Sequence, residues 1–213
     1  GQMARRIKTQ GAAGAGVWTD DVVALALAHR RLSILDLSSA GYQPMESPCS
    51  RYVLIYNGEI YNHQDLRDHL EAEGGAFDWR GHSDTETLLA ALRDWGVQGV
   101  LERANGMFAF ALWDAAESQL FLARDRMGEK PLYYGRSSDA FLFGSELKAL
   151  AAHPDWRGEV NRDALALYMR HNCVPAPWSI YKGIAKLPPA HYVVIGEGGR
   201  AVGEPQCYWD LRQ

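Results

Sequence analysis

The spacing of apolar residues predicts a chain rich in β-strands. Apolar residues fill both parities at the start of segment 22–34, which favours a strand buried on both faces. Segment 51–61 is rich in β-forming residues and predicts a second strand. Alternation, or short apolar runs beside polar turns, predict further strands at 107–113, 120–124, 132–135, 140–143 and 191–195.

Helical structure is predicted in four other segments. Residues 1–9 hold two apolar positions four apart, as at the end of a helix. In 62–73, Asn62 is suited to cap the helix and Gly74 to stop it. A further short helix is predicted for 161–169, because an asparagine at its start can cap it.

Segment 83–95 has the clearest helix start. Ser83 and Glu86 lie three residues apart, as in a capping box, and leucines follow at helical spacing. Gly96 is predicted to end this helix. Segment 11–16 contains only glycine and alanine, which indicates a flexible connection.

The order of these elements predicts an α+β fold. Runs of antiparallel hairpins with helices grouped between them favour that class over alternating βαβ units. The 213 residues suit one large domain or two small ones, and 47% hydrophobic with 23% charged residues is typical of a soluble globular protein.

Charge and hydropathy exclude several classes of partner. A net charge of −4 gives no electrostatic reason to expect nucleic acid or an anionic membrane surface. No apolar run approaches the roughly 20 residues that a membrane span needs, and no signal peptide is recognisable. Together with the few and widely spaced cysteines, these features lead us to expect a cytoplasmic protein.

The cysteines and histidines show no metal-binding pattern. Cys49, Cys173 and Cys207 are odd in number and widely spaced, which indicates reduced thiols rather than disulfides or a zinc site. The seven histidines also lack ligand spacing. We expect no metal in this chain.

The tripeptide Asn57-Gly58-Glu59 interrupts a run of good β-formers. A glycine lets a backbone N–H approach a ligand closely, and an asparagine supplies an amide donor. Two such donors side by side are the parts of an oxyanion hole. The tripeptide alone is explained more readily as a β-bulge or a hairpin turn, because Asn-Gly turns are common.

Two charged residues extend this candidate site. Asp84 lies in the first turn of a capped helix, where a fixed carboxylate could receive an ammonium group, although it could also be simply a favourable first-turn residue. Arg31 could take a carboxylate in bidentate fashion, or form an ordinary surface pair. With Asn57 and Gly58 they would suit a zwitterionic amino acid with a reactive side-chain carbonyl. Spacing does not show that they meet, because 26 residues separate Arg31 from Asn57.

A second charged motif, "ARDRMGEKPLYYG" at 123–135, has two interpretations. Its Arg-Asp-Arg run, followed by glycine and proline, fits a strand end and a tight turn. A contact with a partner domain is the functional alternative.

Five motifs in order resemble the class II glutamine amidotransferases, and most closely the glutaminase domain of glutamine-hydrolysing asparagine synthetases. They are "HRRLSILDLS" at 29–38, "NGEIYNH" at 57–63, "GHSDTETLL" at 81–89, "NGMFAFALWD" at 105–114 and "ARDRMGEKPLYYG" at 123–135. The resemblance runs from about Met3 to Leu211, nearly the whole chain.

The resemblance implies a four-layer αββα sandwich of the N-terminal-nucleophile hydrolases and a set of residue roles. Asn57 and Gly58 would form the oxyanion hole, and Arg31 would bind the α-carboxylate of L-glutamine. Asp84 and Glu59 would hold the substrate amine and nearby groups. The backbone of three more residues would line the pocket, namely Leu32, Ile34 and Leu35.

The implied reaction is hydrolysis of the glutamine amide to glutamate and ammonia. The nucleophile in that family is an N-terminal cysteine whose own α-amine acts as the base. Ammonia then passes to a C-terminal synthetase domain, which uses ATP and Mg to form an acyl-adenylate, of aspartate in true synthetases. The family also allows a homodimer.

The chain departs from the family pattern in three places. It begins with Gly1 rather than with cysteine. The family's first strand and the start of its first helix, about 20 residues together, are absent. Segment 1–213 is therefore interpreted as an N-terminally incomplete glutaminase domain. Segment 8–18 lacks the family's Arg-His-Arg-Gly-Pro-Asp turn. No Ser-Gly-Gly-x-Asp-Ser sequence is present, so ATP and Mg would belong to an absent synthetase domain and this chain would carry no cofactor.

Two other functions stay open at this point. The chain could be a catalytically dead relative that binds glutamine or a partner domain, since it does not begin with cysteine. It could also be another class II amidotransferase, although the motifs at 29–38 and 123–135 argue against this.

Overall fold

A computed structural model of the chain describes Met3 and residues 14–31, 41–75 and 77–212, with the side chain of Glu197 excepted. The strands are β1 (Gly14–Asp20), β2 (Leu25–Arg31), β3 (Met45–Glu46), β4 (Tyr52–Ile60), β5 (Gly106–Asp114), β6 (Gln119–Arg124), β7 (Tyr133–Ser137), β8 (Ala140–Gly144), β9 (Ile184–Lys186), β10 (His191–Gly196), β11 (Ala201–Val202) and β12 (Gln206–Cys207). The helices are α1 (His63–Ala72), α2 (Asp84–Arg103), α3 (Leu147–Leu150) and α4 (Arg162–His171). The predicted helix end at 1–9 lies outside the described residues, apart from Met3.

The described strands form one large antiparallel sheet and two small ones. The large sheet runs β11-β10-β6-β5-β4-β3, and β12 also pairs with β10. A hairpin of β1 and β2 forms one small sheet, and β8-β7-β9 forms the other. Every strand pair is antiparallel, as the predicted hairpins require.

Three hydrophobic clusters stack these elements into layers. Helices α1 and α2 cover one face of the large sheet, where Leu66 and Leu88 pack against Phe108. The other face packs on the small sheets, through contacts such as Leu27 of β2 with the cluster around Trp113. Helix α3 covers the far side of the β8-β7-β9 sheet. The order is therefore helix, sheet, sheet, helix, and the α+β αββα prediction is confirmed.

The prediction of a strand buried on both faces at 22–34 is wrong in two respects. Residues 21–24 form a turn, because the Asp20 carboxylate accepts the N–H groups of Val22 and Val23 at 2.9 and 3.4 Å. Strand β2 starts only at Leu25 and belongs to a two-stranded sheet, so most of its side chains are partly exposed.

The glycine- and alanine-rich stretch is partly strand rather than flexible connection. Residues 14–16 belong to β1, and 11–13 lie outside the described residues. A Cβ on Gly16 would come 2.0 Å from the carbonyl oxygen of Gln43. Small residues are needed here because the chain at Gln43 crosses directly over the strand.

The helix starts follow the sequence signals only in part. Ser83 Oγ accepts the Glu86 N–H at 3.2 Å, but the Glu86 carboxylate bonds the N–H groups of Arg80 and Gly81 instead of completing the capping box. Asn161 caps α4 through two N–H groups, as predicted.

Asn62 and Gly96 behave differently from their predictions. The Asn62 side chain does not cap α1; it bonds the Arg103 carbonyl and the Asn105 N–H, and so ties α1 to the end of α2. Gly96, at φ 69°, breaks α2 but does not end it, since helical residues continue to Arg103. Among the described helices, none is both long and apolar enough to cross a bilayer.

The charged motif at 123–135 forms a folded turn, which confirms its structural interpretation. Asp125 is fully buried, and its carboxylate accepts the N–H groups of Phe108, Met127, Glu129 and Lys130 at 2.9–3.1 Å. Its own N–H donates to the Phe108 carbonyl at 2.8 Å. The turn is therefore attached to β5 at Phe108.

This attachment predicts a large stability effect at Asp125. Asp125→Asn should lower the free energy of unfolding by about 2–4 kcal/mol, because the amide offers one acceptor oxygen and adds a buried NH₂ without a partner. Urea denaturation followed by circular dichroism measures the change. Asp68→Asn, on the exposed face of α1, should change it by less than about 0.5 kcal/mol. Equal effects of the two substitutions would contradict the assigned role of Asp125.

Candidate active site

A cavity of about 1480 Å³ lies between the large sheet and the small sheets. Arg31 from β2, Asn57 to Glu59 from β4 and Asp84 from the start of α2 all line it. The structure thus brings together the charged and amide groups that the sequence singled out. Leu32, Ile34 and Leu35 lie outside the described residues.

Strand β4 runs without interruption through the Asn-Gly-Glu tripeptide. Asn57, Gly58 and Glu59 stand opposite Ala109, Phe108 and Met107 of β5 in regular antiparallel register. The tripeptide is therefore neither a bulge nor a hairpin turn, and the inference of an interrupted strand is wrong. A Cβ at Gly58 would lie 2.2 Å from the carbonyl oxygen of Met107 and 2.7 Å from Cα of Phe108. The close approach of β5 accounts for the glycine.

The register also determines where the Gly58 N–H points. Phe108 directs both its N–H and its carbonyl to Asp125, on the side of β6. Its partner Gly58 therefore belongs to a non-hydrogen-bonded pair, and its N–H points to the opposite edge of β4. The Tyr56 and Ile60 N–H groups point the same way.

Side chains occupy the positions on either side of Gly58 along this edge. The Tyr56 N–H donates to Gln43 Oε1 at 2.6 Å, and the Ile60 N–H donates to Asp84 Oδ2 at 3.1 Å. Among the described residues, none accepts a hydrogen bond from the Gly58 N–H. A backbone donor is thus left available between two satisfied ones.

Asn57 adds a side-chain donor beside this backbone donor. Its Nδ2 donates to Ser145 Oγ at 3.4 Å, a long contact. An amide NH₂ has two hydrogens, so the contact with Ser145 leaves one for a ligand. Ser145 also lines the cavity.

The Asp84 carboxylate is held from one side. Its Oδ2 accepts the Tyr56 hydroxyl at 2.6 Å and the Ile60 N–H at 3.1 Å, and the residue is 6% exposed. Burial, and after it the Asp84 charge, raise the pKa of Tyr56 far above its usual range, so this hydroxyl stays a donor. Oδ1 has no bonding partner among the described residues and is left for a cation in the cavity.

A buried ion pair fixes the chain just before Asp84. Arg67 lies 3.7 Å from Glu86, and both side chains are less than 10% exposed. Arg67 also donates to the Gly81 carbonyl at 3.2 Å and lies over the Trp79 ring at 4.0 Å. Arg67 bonds the carbonyl of Gly81, and Glu86 accepts the Gly81 N–H. The chain that leads into α2 is therefore held by hydrogen bonds, which restricts movement of the first turn of the helix.

Arg31 is the cation of the cavity that the sequence identified. It is 9% exposed, and its guanidinium carbon lies 5.6 Å from the centre of the Tyr42 ring. Glu59, half-buried, lines the same cavity. The cavity therefore carries a cation from β2 and an anion from α2, with two amide-type donors of β4 between them in the chain.

Sequence reasoning missed four residues that support the site. Gln43 accepts the Tyr56 N–H, Ser145 accepts a hydrogen bond from the Asn57 amide, and the Tyr56 hydroxyl donates to Asp84. Only Tyr56 had a usable signal, because a buried tyrosine in a strand needs a partner for its hydroxyl. The fourth residue, His29, stands two positions before Arg31 on the same face of β2.

His29 is neutral in this environment. Burial lowers its pKa from 6.5 to about 4, opposed by a hydrogen bond to the Tyr56 backbone. Its Nδ1 is buried and has no hydrogen-bond partner among the described residues. At neutral pH, the charges that β2 brings to this part of the cavity are therefore those of Arg30 and Arg31.

None of the three cysteines lines the described part of the cavity. Cys49, Cys173 and Cys207 are all exposed and unpaired, which agrees with the prediction of free thiols. A hydrogen bond with Ser47 holds the pKa of the Cys49 thiol below its usual value, but this thiol lies at the surface. The described lining of the cavity therefore contains charged and amide groups but no thiol.

Sequence comparison links the chain to glutamine-dependent proteins. A family profile described as glutamine amidotransferase domain matches residues 1–209. Asparagine synthetase [glutamine-hydrolyzing] 3 of Bacillus subtilis strain 168 is 37% identical over 213 residues, which cover 99% of this chain and 33% of that protein. A putative asparagine synthetase of Methanocaldococcus jannaschii is 34% identical over 230 residues, with 99% and 43% covered. The chain thus spans less than half the length of these relatives.

Structure comparison agrees on the fold. The glutamine phosphoribosylpyrophosphate amidotransferase of B. subtilis, complexed with ADP and GMP, superposes with a TM-score of 0.68 at 19% identity, covering 98% of this chain and 46% of that one. A glutamine aminotransferase class-II domain protein from Silicibacter pomeroyi gives 0.51 at 15% identity, with 92% of each chain covered. At such identities the likeness shows the fold alone.

The lowered pKa of His29 predicts an acid-sensitive stability. Because unfolded His29 binds a proton near pH 6.5 and folded His29 only near pH 4, its contribution is complete above pH 6.5 and is lost as the pH falls towards 4. In this window, His29→Gln should reduce the pH dependence of the free energy of unfolding by up to about 1 kcal/mol per pH unit. Urea titration at a series of pH values measures this dependence. Gln98→Ala, at an exposed position of α2, should leave this pH dependence unchanged, because it removes no titrating group. Identical slopes for wild type and His29→Gln would contradict a neutral His29.

Proposed function

We propose a function from one established premise, which is that this chain belongs to the class II glutamine amidotransferase domain family. On our proposal the cavity binds L-glutamine, and the side-chain amide is hydrolysed there to glutamate and ammonia. The observation that carries the proposal is the meeting of Arg31, Asn57, Gly58 and Asp84 in one cavity.

Recognition of the amino-acid end would use the two charged groups. The Arg31 guanidinium would take the α-carboxylate, because its planar donors match a carboxylate in bidentate fashion. Asp84 would accept the α-ammonium on Oδ1, since Oδ2 is already engaged by Tyr56 and Ile60. Glu59 would add a carboxylate near the amine. The backbone of Leu32, Ile34 and Leu35 would line the remainder of the pocket.

Catalysis would use the two donors at the edge of β4. As a nucleophile adds to the amide carbon, negative charge develops on the carbonyl oxygen. The Gly58 N–H and the second amide hydrogen of Asn57 would stabilise that charge. Because β5 fixes the backbone and Ser145 holds the amide, these donors need little rearrangement during the reaction.

The nucleophile would be a cysteine with a free α-amine, supplied by an N-terminal segment that enters the cavity. Two strand edges support this part of the proposal: β2 and β8 each line the cavity and pair on one side only among the described strands. The α-amine would take the thiol proton while sulfur bonds to the amide carbon. That proton would leave with ammonia, and water would then hydrolyse the thioester.

The ammonia would be used by a second domain. The relatives at 34–37% identity are named as asparagine synthetases, and more than half of their length lies outside the match. We propose that this chain is the glutaminase domain of such a protein, with an ATP- and Mg-dependent synthetase domain as its partner. Aspartate would be the acceptor in a true synthetase.

A second candidate function is glutamine binding without hydrolysis. The observation in its favour is that all three cysteines are exposed and outside the described cavity lining. The two functions share the binding site and differ only in the nucleophile, so hydrolysis by the full-length natural protein separates them.

The first test of hydrolysis compares the effects of an Asn57 substitution on kcat and on KM. In the full-length protein, Asn57→Ala should lower kcat for glutamate release about 100- to 1,000-fold while KM changes little, because the donor acts on charge that develops only in the transition state. A coupled glutamate assay measures both. Gln98→Ala, an exposed helix amide, is the control. Equal losses in kcat and affinity would assign Asn57 a structural role, and no hydrolysis by wild type would favour the second candidate.

Asp84 should instead affect binding. Asp84→Asn should raise the Kd for L-glutamine at least about tenfold, because it removes the charge that faces the α-ammonium. Isothermal titration calorimetry of this chain gives the Kd. Asp163→Asn provides a matched control, because Asp163 also occupies a first helical turn but is exposed. An unchanged Kd in Asp84→Asn would refute the assigned contact.

A further inference from the structure

The Arg31 guanidinium lies against two consecutive residues, Gly41 and Tyr42. A Cβ built on Gly41 would lie 2.2 Å from Nη2 of Arg31 and 2.9 Å from Cζ. The Tyr42 ring centre lies 5.6 Å from the same Cζ. Gly41 also lines the cavity. The guanidinium is thus placed where a side chain at position 41 would otherwise be.

We infer that Gly41 is a positioning residue for carboxylate recognition, and this rests on the proposed function. With no side chain at 41, the guanidinium comes close to the backbone there, with the Tyr42 ring beside it. This placement fixes the direction in which its paired donors face the cavity. Recognition of a planar carboxylate depends on that direction, because two parallel N–H bonds must form together.

The surroundings of Gly41 separate this role from a folding role. Among the described residues other than its chain neighbours, the three atoms nearest to its Cβ position all belong to the Arg31 side chain, at 2.2–3.5 Å. At Gly16 and Gly58, by contrast, a Cβ would strike backbone oxygens at 2.0 and 2.2 Å. A methyl group at 41 is therefore accommodated by moving a flexible side chain rather than a strand.

The backbone at Gly41 does not itself demand glycine. Its φ lies outside the left-handed region, where L-residues are strained. The cavity beside Arg31 offers space into which a displaced guanidinium can turn. Gly41→Ala should therefore fold normally and present a misdirected arginine.

The consequence is a specific loss of affinity for the α-carboxylate. L-Glutamine carries this group, and L-glutamine α-amide replaces it by a neutral amide while keeping the α-amine and the side-chain amide. A correctly placed Arg31 should make the site prefer glutamine over the α-amide. Displacing Arg31 should reduce that preference and leave binding of the α-amide almost unchanged.

The test measures both ligands by isothermal titration calorimetry at about pH 6.5, below the ordinary pKa of an α-amine. Gly41→Ala should weaken L-glutamine binding about tenfold, with less than a twofold change for the α-amide. Tyr42→Leu, at a residue 51% exposed, should weaken L-glutamine binding about threefold through loss of the ring face. Gly196→Ala is the matched control, since its Cβ would meet nothing within 4 Å, and it should match wild type.

Three results would overturn the inference while the proposed function stands. The first is that Gly41→Ala prefers L-glutamine over the α-amide as strongly as wild type does. The second is an equal loss of both ligands together with a lowered Tm, because that marks a merely structural residue. The third applies if Gly41→Ala does not fold: Tyr42→Leu then keeps the wild-type preference for L-glutamine over the α-amide. Failure of wild type itself to bind L-glutamine would instead refute the proposed function, and with it the inference.

Discussion

The site depends on the hydrogen-bond register of β4 against β5. Asp125 takes both backbone groups of Phe108 to one side, so the paired residue Gly58 turns its N–H to the opposite edge. Along that edge, Gln43 and Asp84 satisfy the N–H groups on either side. A shift of one residue would turn the Gly58 N–H towards β5, where the ladder would consume it. A buried turn more than 60 residues along the chain thus determines where a donor is available.

The charged groups of the cavity are held in place before any ligand arrives. Asp84 keeps one oxygen in bonds from Tyr56 and Ile60, and Arg31 lies against Gly41 and Tyr42. Because these side chains are already fixed in the folded protein, less side-chain entropy is lost when a ligand binds. Both residues are less than 10% exposed, so their opposite charges interact more strongly with a zwitterion than they would in open water. On the proposed function, these two charges would meet the carboxylate and the ammonium of one amino acid.

Local sequence signals located some of these features and missed others. The capping pattern at Ser83 placed Asp84 at a helix start, because that pattern involves only neighbouring residues. The β1–β2 hairpin was not predicted, since a consecutive apolar run does not reveal the Asp20 turn within it. Gly58 was assigned to ligand approach, whereas the register shows that β5 requires it. The roles of Gln43 and Ser145 depend on contacts across 13 and 88 residues, which no local pattern encodes. The αββα arrangement came from the family resemblance rather than from periodicity.

A crystal structure of the chain with L-glutamine would show whether one cavity holds both ends of the amino acid. We expect the α-carboxylate within hydrogen-bond distance of Arg31 and the α-ammonium on Oδ1 of Asp84. We also expect the side-chain carbonyl oxygen within about 3 Å of the Gly58 nitrogen and of Asn57 Nδ2. Glutamine bound elsewhere, or bound in this cavity with its side-chain amide directed away from β4, would refute the proposed site.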